Sequence, residues 1–319
     1  MTEQQSSKPR TAVLDHAAYP HIFTAIINIA PTTALLALRT TSRTIRWRVD
    51  RVLVDNLVLV GRDGRLAVGT RRPADRHTVK LAEMAPGQPA AGATYWLSLV
   101  STARVVDLRG DLQLASPINV NTLRLHPDAR YPEAGEWTCH TLVTFVHCAA
   151  WATVPRWPAL RPVRVNAKRM VLTITIKHGR GLRPHQILHQ GDHVPPGVEE
   201  VVVIIKDDVT RVERHQCAVG IYKTGILLDI IRQLLYFLPG KVVFVGVDVL
   251  DPRIFGLPMG TPCPLLAGNI RRAIGDYATV VLGWSHDQVD TALAGLEMLS
   301  HHEYRARVGL QEYEMLSKP

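Results

Sequence analysis

RVVDLRGDLQLASPINVNTLRLHPDARYPEAGEWTCHTLVTF, residues Arg104 to Phe145, contains three short runs of one kind. VVDL at Val105–Leu108, TLRL at Thr122–Leu125 and TLVTF at Thr141–Phe145 combine leucine with β-branched residues, the composition of buried strands. They recur at intervals of roughly 17 to 19 residues, which marks repeated supersecondary units rather than one hairpin. Four more runs of β type follow at Met170–Ile176, Val201–Ile205, Val242–Val247 and Thr279–Leu282, and the intervals lengthen to roughly 30 to 40 residues. Between two of them, Gly225–Leu238 places Ile226, Ile230, Leu234 and Phe237 on one helical face and stops at Pro239-Gly240. Strand, helix and strand in that order predict a mainly parallel sheet with helices on its outer side.

The early spacing lies near the period of leucine-rich repeats, and the later spacing departs from it. The expected fold class is therefore α/β: an irregular leucine-rich-repeat-like or layered α/β region over residues 56–319. Working outward, LVLVGRDGRLAVGT at Leu57–Thr70 alternates like a hairpin turning at Arg62-Asp63-Gly64. Met84–Thr94, rich in Ala, Pro and Gly, reads as a flexible connection, and Glu303–Leu316 as a final covering helix. Exposed strand positions by alternation, Arg124, His126, Thr144 and Lys177, are candidates for a target-binding surface.

Ahead of this region the period changes from two to about 3.6. Pro20 starts a helix carrying Ile22, Ile26 and Ile29 on one side, and Pro31 ends it. Thr32 or Thr33 can cap a second helix with Leu35, Leu36 and Leu38, and Ser42 a third with Ile45, Val49, Val52 and Leu53. Each is too short to be stable alone and must pack on its neighbours, on the following region or on a partner. The string YPHIFTAIINIAPTTALLALRTTSRTIRWRVD, Tyr19 to Asp50, resembles the F-box. Tyr19-Pro20 stands at its Leu-Pro start, Ile22, Ile26 and Ile27 at apolar helix positions, Leu35-Leu36 and Leu38-Arg39 at its second helix, and Ser42-Arg43 at its last element. Tyr19 replaces the usual Leu, and Ile45 the usual Trp, with Trp47 close by. EYRARVGLQEYEMLS, from Glu303, is similar to the ending of fungal F-box-like proteins.

The resemblance implies docking on the adaptor subunit of SCF-type cullin–RING ubiquitin ligases through Pro20, Ile22, Ile26, Ile27, Leu35, Leu36, Leu38 and Arg43. The C-terminal region would then select a protein target. The competing reading is that the three helices cap the α/β region. The resulting division is a disordered tail over residues 1–15, an F-box-like segment over 16–55, and the α/β binding region.

Composition is consistent with this. Of 319 residues, 46 % are hydrophobic and 20 % charged, values of a folded globular chain rather than a disordered one. The apolar stretch Ile226–Leu250 is interrupted by Asp229, Arg232, Lys241 and Asp248, which argues against a membrane span. The start offers no apolar h-region for a signal peptide, so the expected location is the cytoplasm or nucleus. Four cysteines, none in a C-x-x-C pair, suit buried or free thiols. The net charge of +9 favours acidic partners, but no Lys/Arg run of five occurs, and Arg39, Arg43 and Arg46 read better as a solvated face than as a phosphate grip.

Sites for chemistry are sparse, and the chain is expected not to be an enzyme. His185, His189 and His193 share a spacing of four, yet Gly191 and Pro195-Pro196 break the helix that would align them on zinc. Cys139-His140 and His147-Cys148 lie roughly 27 Å apart on an extended strand, too far for one ion. Gly283-Trp284-Ser285-His286-Asp287 puts Ser, His and Asp side by side, but consecutive side chains cannot align as a triad, and a turn is the better reading. No dinucleotide or Walker-type glycine loop is present. Neither cofactor nor metal is expected. The alternative is an α/β enzyme or small-ligand-binding protein using the strand ends near Asp207-Asp208 and Asp248 with Asp251.

Overall fold

The repeated β runs pair with one another in chain order. In a computed structural model, described over residues 18–62, 65–71, 77–84, 91–110, 112, 119–126, 137–149, 165–177, 195, 197–207, 240–250, 252, 257–280 and 282–319, ten strands form one sheet. They are β1 (Asn56–Arg62), β2 (Arg65–Thr70), β3 (Val79–Met84), β4 (Val105–Gly110), β5 (Asn119–Leu125), β6 (Trp137–Ala149), β7 (Val165–Lys177), β8 (Glu200–Asp207), β9 (Lys241–Val245) and β10 (Leu296–Leu299). Their order is β10-β9-β8-β7-β6-β5-β4-β1-β2-β3. Every neighbouring pair from β1 and β4 through β10 is parallel, while β2 and β3 add antiparallel at the edge.

Eight α-helices accompany the sheet among the described residues: α1 (Pro20–Ile29), α2 (Thr32–Arg39), α3 (Arg43–Leu53), α4 (Ala91–Ser98), α5 (Cys263–Val280), α6 (His286–Ala294), α7 (His301–Val308) and α8 (Leu310–Ser317). Register explains how the two sheet faces are filled. Leu57, Val106, Leu123, Leu142, Met170, Val201, Val242 and Leu296 pair in one continuous row. All eight are buried in a core shared with Phe23, Ile27, Leu35, Ile45, Val49 and Leu53 of α1–α3, Trp96 of α4, Leu266, Ile270 and Ile274 of α5, and Ala292 of α6. The first six helices therefore lie on one side. One residue along, the row turns to the opposite face: Asp107, Arg124, Val143, Val171, Val202 and Val243. There Val143, Phe145, Val171, Val202, Ile204, Val243 and Val245 pack with Tyr304 of α7 and Leu316 of α8.

Spacing between paired residues is 17 and 19 at first, then 28, 31, 41 and 54, so the ladder is continuous although the connections grow. Gly110 is required at the end of β4. Its φ is +68°, and a Cβ there would stand 2.0 Å from the Gly61 carbonyl oxygen of β1.

Several expectations meet a different outcome. Thr279–Leu282 is not a strand: α5 runs to Val280, because Leu266, Ile270, Ile274 and Ala278 hold a 3.6-residue stripe in the core. The stripe outweighs the β-branched residues at its end. Inside Met84–Thr94 a helix has already begun at Ala91, and it anchors Trp96 in the core. The final covering helix is two helices, divided at Gly309, whose φ of +86° a side chain would disfavour. It covers the sheet as expected. Ser42 caps α3, accepting from the Ile45 amide at 3.2 Å, but α2 is capped by neither threonine: Pro31 is its N-cap, and Thr32 is buried inside the helix. The hairpin joins at Arg62↔Arg65, so its connection is the two residues 63 and 64. The expected helix Gly225–Leu238, the histidines His185, His189 and His193, and the tail over residues 1–15 lie outside the described residues.

Candidate functional site

Alternation on α1 produces two adjacent stripes. Phe23 and Ile27 turn into the core, and Ile22, Ile26 and Ile29 turn to solvent with exposures of 41 %, 37 % and 77 %. Tyr19, at the helix cap, is half exposed, and Trp47 of α3 is 60 % exposed with the Arg51 guanidinium 4.9 Å from its ring. Of the residues expected to dock on an adaptor, Pro20, Ile22, Ile26 and Arg43 are exposed, Leu36 and Leu38 are half-buried against the core, and Ile27 and Leu35 are sealed within it. The accessible apolar surface is thus the outer stripe of α1, to which Tyr19 and Ile29 add.

Besides the shared apolar core, a buried carboxylate ties the three helices to α4. Asp50 of α3 accepts from Arg39 Nε at 2.5 Å and from the Tyr95 hydroxyl of α4, and Arg46 Nε lies 3.7 Å away. The Arg39 guanidinium also stacks over Tyr95 and Trp96, at 5.6 and 5.0 Å from the ring centroids. Burial and the Asp50 carboxylate together push the Tyr95 hydroxyl up from its ordinary value. The solvated basic face read for Arg39, Arg43 and Arg46 holds for Arg43 and Arg46 only. Arg39 is an inward structural group, since Asp50 and two aromatic rings hold it.

The strand face opposite the first six helices is not free between β5 and β10. Helices α7 and α8 cover it, and four consecutive main-chain oxygens at the end of α8 accept from side chains of separate strands or their flanks. Thr173 Oγ1 donates to the Leu316 oxygen at 2.7 Å, Lys206 Nζ to Ser317 at 2.7 Å, Arg124 Nη2 to Lys318, and Arg71 Nη1 to Pro319 at 3.1 Å. The expectation of an exposed target surface at Arg124, His126 and Thr144 is therefore corrected. Arg124 is buried beneath this segment, His126 is buried against Asp107 and Phe145, and Thr144 faces the helix side in the row of Leu108 and Leu125. Lys177 lies at the end of β7, with its side chain outside the described residues.

Under that segment sits a charged group that alternation alone would not single out. Asp107 on β4 is almost wholly buried; Arg124 Nη1 is 3.0 and 3.2 Å from its two oxygens, His126 Nε2 3.5 Å and Arg109 Nη2 3.7 Å away. Burial pushes the Asp107 carboxyl up, but the His126 imidazole and the charges of Arg124 and Arg109 outweigh it, and the net direction is below the ordinary value. Burial also lowers the Arg124 guanidinium, partly offset by Asp107, while the neighbouring positive charges of Arg71 and Arg109 act in the same sense as burial. A charged residue in each of two otherwise apolar runs, Asp107 in VVDL and Arg124 in TLRL, was the signal available in the sequence.

Of the strand ends proposed for an alternative ligand site, the one at Asp248 meets the start of a helix. Asp248 Oδ1 accepts the His301 amide at 3.1 Å at the start of α7. The His301 ring lies between the Ile205 carbonyl, 2.9 Å from Nε2, and the Tyr313 hydroxyl, 2.8 Å from Nδ1. The Ile205 oxygen can only accept, so Nε2 carries the proton and Tyr313 donates to Nδ1. Burial, opposed by Asp248, lowers the imidazole pKa. The side chain of Asp207, together with Asp208 and Asp251, lies outside the described residues. Ser285 is the N-cap of α6, in a capping box with Gln288, so the Ser-His-Asp string starts a helix rather than forming a turn or a triad.

A cleft of about 710 Å³ opens at the starting ends of β5, β6 and β7, lined by exposed Asn119, Thr138, His140, Asn166 and Lys168. At its floor the buried Cys139 thiol is pushed up to about 12 by burial and stays protonated, which makes it a poor nucleophile. Cys139 and Cys263 are free thiols. No helix among the described residues is long and apolar enough to cross a membrane. Compared with protein-family models, curated proteins and solved structures, the chain gives no match.

Proposed function

We propose that this chain is an F-box-like receptor that docks on the adaptor of an SCF-type ubiquitin ligase through α1 and selects a protein target through its α/β region. The observation carrying the reading is the outer stripe of α1: Tyr19, Ile22, Ile26 and Ile29 are exposed on a helix whose inner stripe is already committed to the core. Burying what remains exposed of Ile22 and Ile26 (41 % and 37 %) in a partner's groove would contribute roughly 0.6–1.2 kcal/mol each, and of Ile29 (77 %) about twice that. The sequence resemblance of Tyr19–Asp50 to the F-box supplies the identity of the partner. The single ladder in chain order, with lengthening connections, is consistent with a degenerate leucine-rich-repeat-like receptor and with a binding rather than a catalytic role.

Immobilised adaptor subunit, offered wild-type chain and an Ile22→Asp, Ile26→Asp variant, tests the proposal. Both positions are exposed, so the variant keeps its far-ultraviolet circular dichroism. We expect retention of the wild type and loss of the variant. No retention of the wild type, or equal retention of both, contradicts it.

A further inference from the structure

We infer that the cluster of Arg109, Arg124 and His126 around Asp107 is a binding site for an anionic group, carboxylate or phosphate, presented by a peptide of the target. The inference deepens the receptor reading and rests on it. Two guanidiniums, Arg109 and Arg124, face the one Asp107 carboxylate among the described residues, and the Arg71 guanidinium beside them is held by the Pro319 oxygen, so the pair around Asp107 carries an excess of positive charge. Donors are also left over. Arg124 is 8 % exposed, and its Nε has no hydrogen-bond partner; nor do Nε and Nη2 of Arg109, all three atoms being buried. Buried donors without acceptors are costly, and a fork of guanidinium N–H groups matches the oxygens of a carboxylate or phosphate.

The molecule itself shows what kind of chain can lie beside this cluster. Residues Leu316–Pro319 cross the strand face with each main-chain oxygen held by a different side chain, Thr173, Lys206, Arg124 and Arg71. The face thus accepts polypeptide through its backbone, and the unpartnered N–H groups of Arg109 and Arg124 add selection for an acidic or phosphorylated side chain. A target segment would compete with residues 318 and 319, which Arg124 and Arg71 hold on the sheet among the described residues.

Isothermal titration of the full chain, without adaptor, with the peptides Ala-Ala-Ser-Ala, Ala-Ala-Glu-Ala and its phosphoserine counterpart tests the site. We expect at least one anionic peptide to bind about tenfold or more tightly than the neutral one, the worth of a charged hydrogen bond. Preference between glutamate and phosphoserine identifies the source of the anion. Arg109→Gln, which leaves Asp107 paired with Arg124 and so preserves the fold, should abolish the preference. Arg305→Gln, at an exposed position on α7, should not. Equal binding of all three peptides, or an unchanged preference in Arg109→Gln, overturns the site. Because no adaptor is present, its failure leaves the docking proposal untouched, and the reverse also holds.

Discussion

At Asp107 a buried carboxylate is held below its ordinary pKa by the Arg124 and Arg109 guanidiniums and the His126 imidazole, and this sets a stability prediction. Removing one partner of a buried pair leaves the other uncompensated, a cost of about 3–5 kcal/mol. Asp107→Asn should therefore lower the urea unfolding free energy by about 3 kcal/mol at pH 7, because Arg124 is then buried without its counter-charge. The sign of the pH dependence follows from the lowered carboxyl. Its contribution is present above the ordinary aspartate value near 3.8 and is lost as pH falls through the depressed folded value. Below about pH 4 the wild type and Asp107→Asn should thus converge in stability. A gap that stays constant from pH 7 to pH 3 would contradict the assignment.

Among the elements, α7 and α8 have a pH-sensitive attachment. His301 is held neutral between Ile205 and Tyr313, and its folded pKa lies below the ordinary 6.5. The unfolded or detached state then takes up a proton first. Stability of the attachment is whole above about pH 6.5 and falls as pH drops toward the folded value. Hydrogen-exchange protection factors over residues 301–317 should decrease between pH 7.5 and 5.5, whereas those of β7 and β8 should change little. His301→Gln should flatten this response. Near Gly246, whose φ is +104°, a Cβ would stand 2.5 Å from the Ile205 oxygen and 3.0 Å from His301 Nε2, so the close packing at this attachment depends on glycine.

Legibility differed among elements for physical reasons. The runs at Val105, Thr122, Thr141, Met170, Val201 and Val242 were readable as strands because buried parallel strands are nearly continuous in apolar and β-branched residues. The short β10, four residues of which two are Glu and Met, offers no such run. The outer stripe of α1 was visible as i, i+4, i+7 spacing, but Leu35 sits at an equally apolar position and is buried. Period alone does not say which of two apolar stripes a neighbour covers. The basic cluster was hidden for a related reason: strand alternation places Arg124 and His126 on the face away from the first six helices, and the segment that ends α8 returns across that face onto Arg124.

For the whole molecule, a single core joins the N-terminal helices to the sheet, so they cannot be energetically separate from it. Leu35→Ala should cost about 2–5 kcal/mol and shift one cooperative unfolding transition. Ile26→Ala, on the outer stripe, should stay within about 0.5 kcal/mol. Separate transitions for residues 20–53 and for the sheet would break this picture. The same contrast makes the receptor proposal testable without destroying the fold: one side of α1 supports the molecule, and the other is available to a partner.

The most direct measurement is hydrogen exchange of the full chain with and without a saturating amount of the SCF adaptor. Docking through α1 should add protection confined to the N-terminal helices and greatest over residues 20–29, with the sheet unchanged. Identical exchange of that segment in both samples would contradict it.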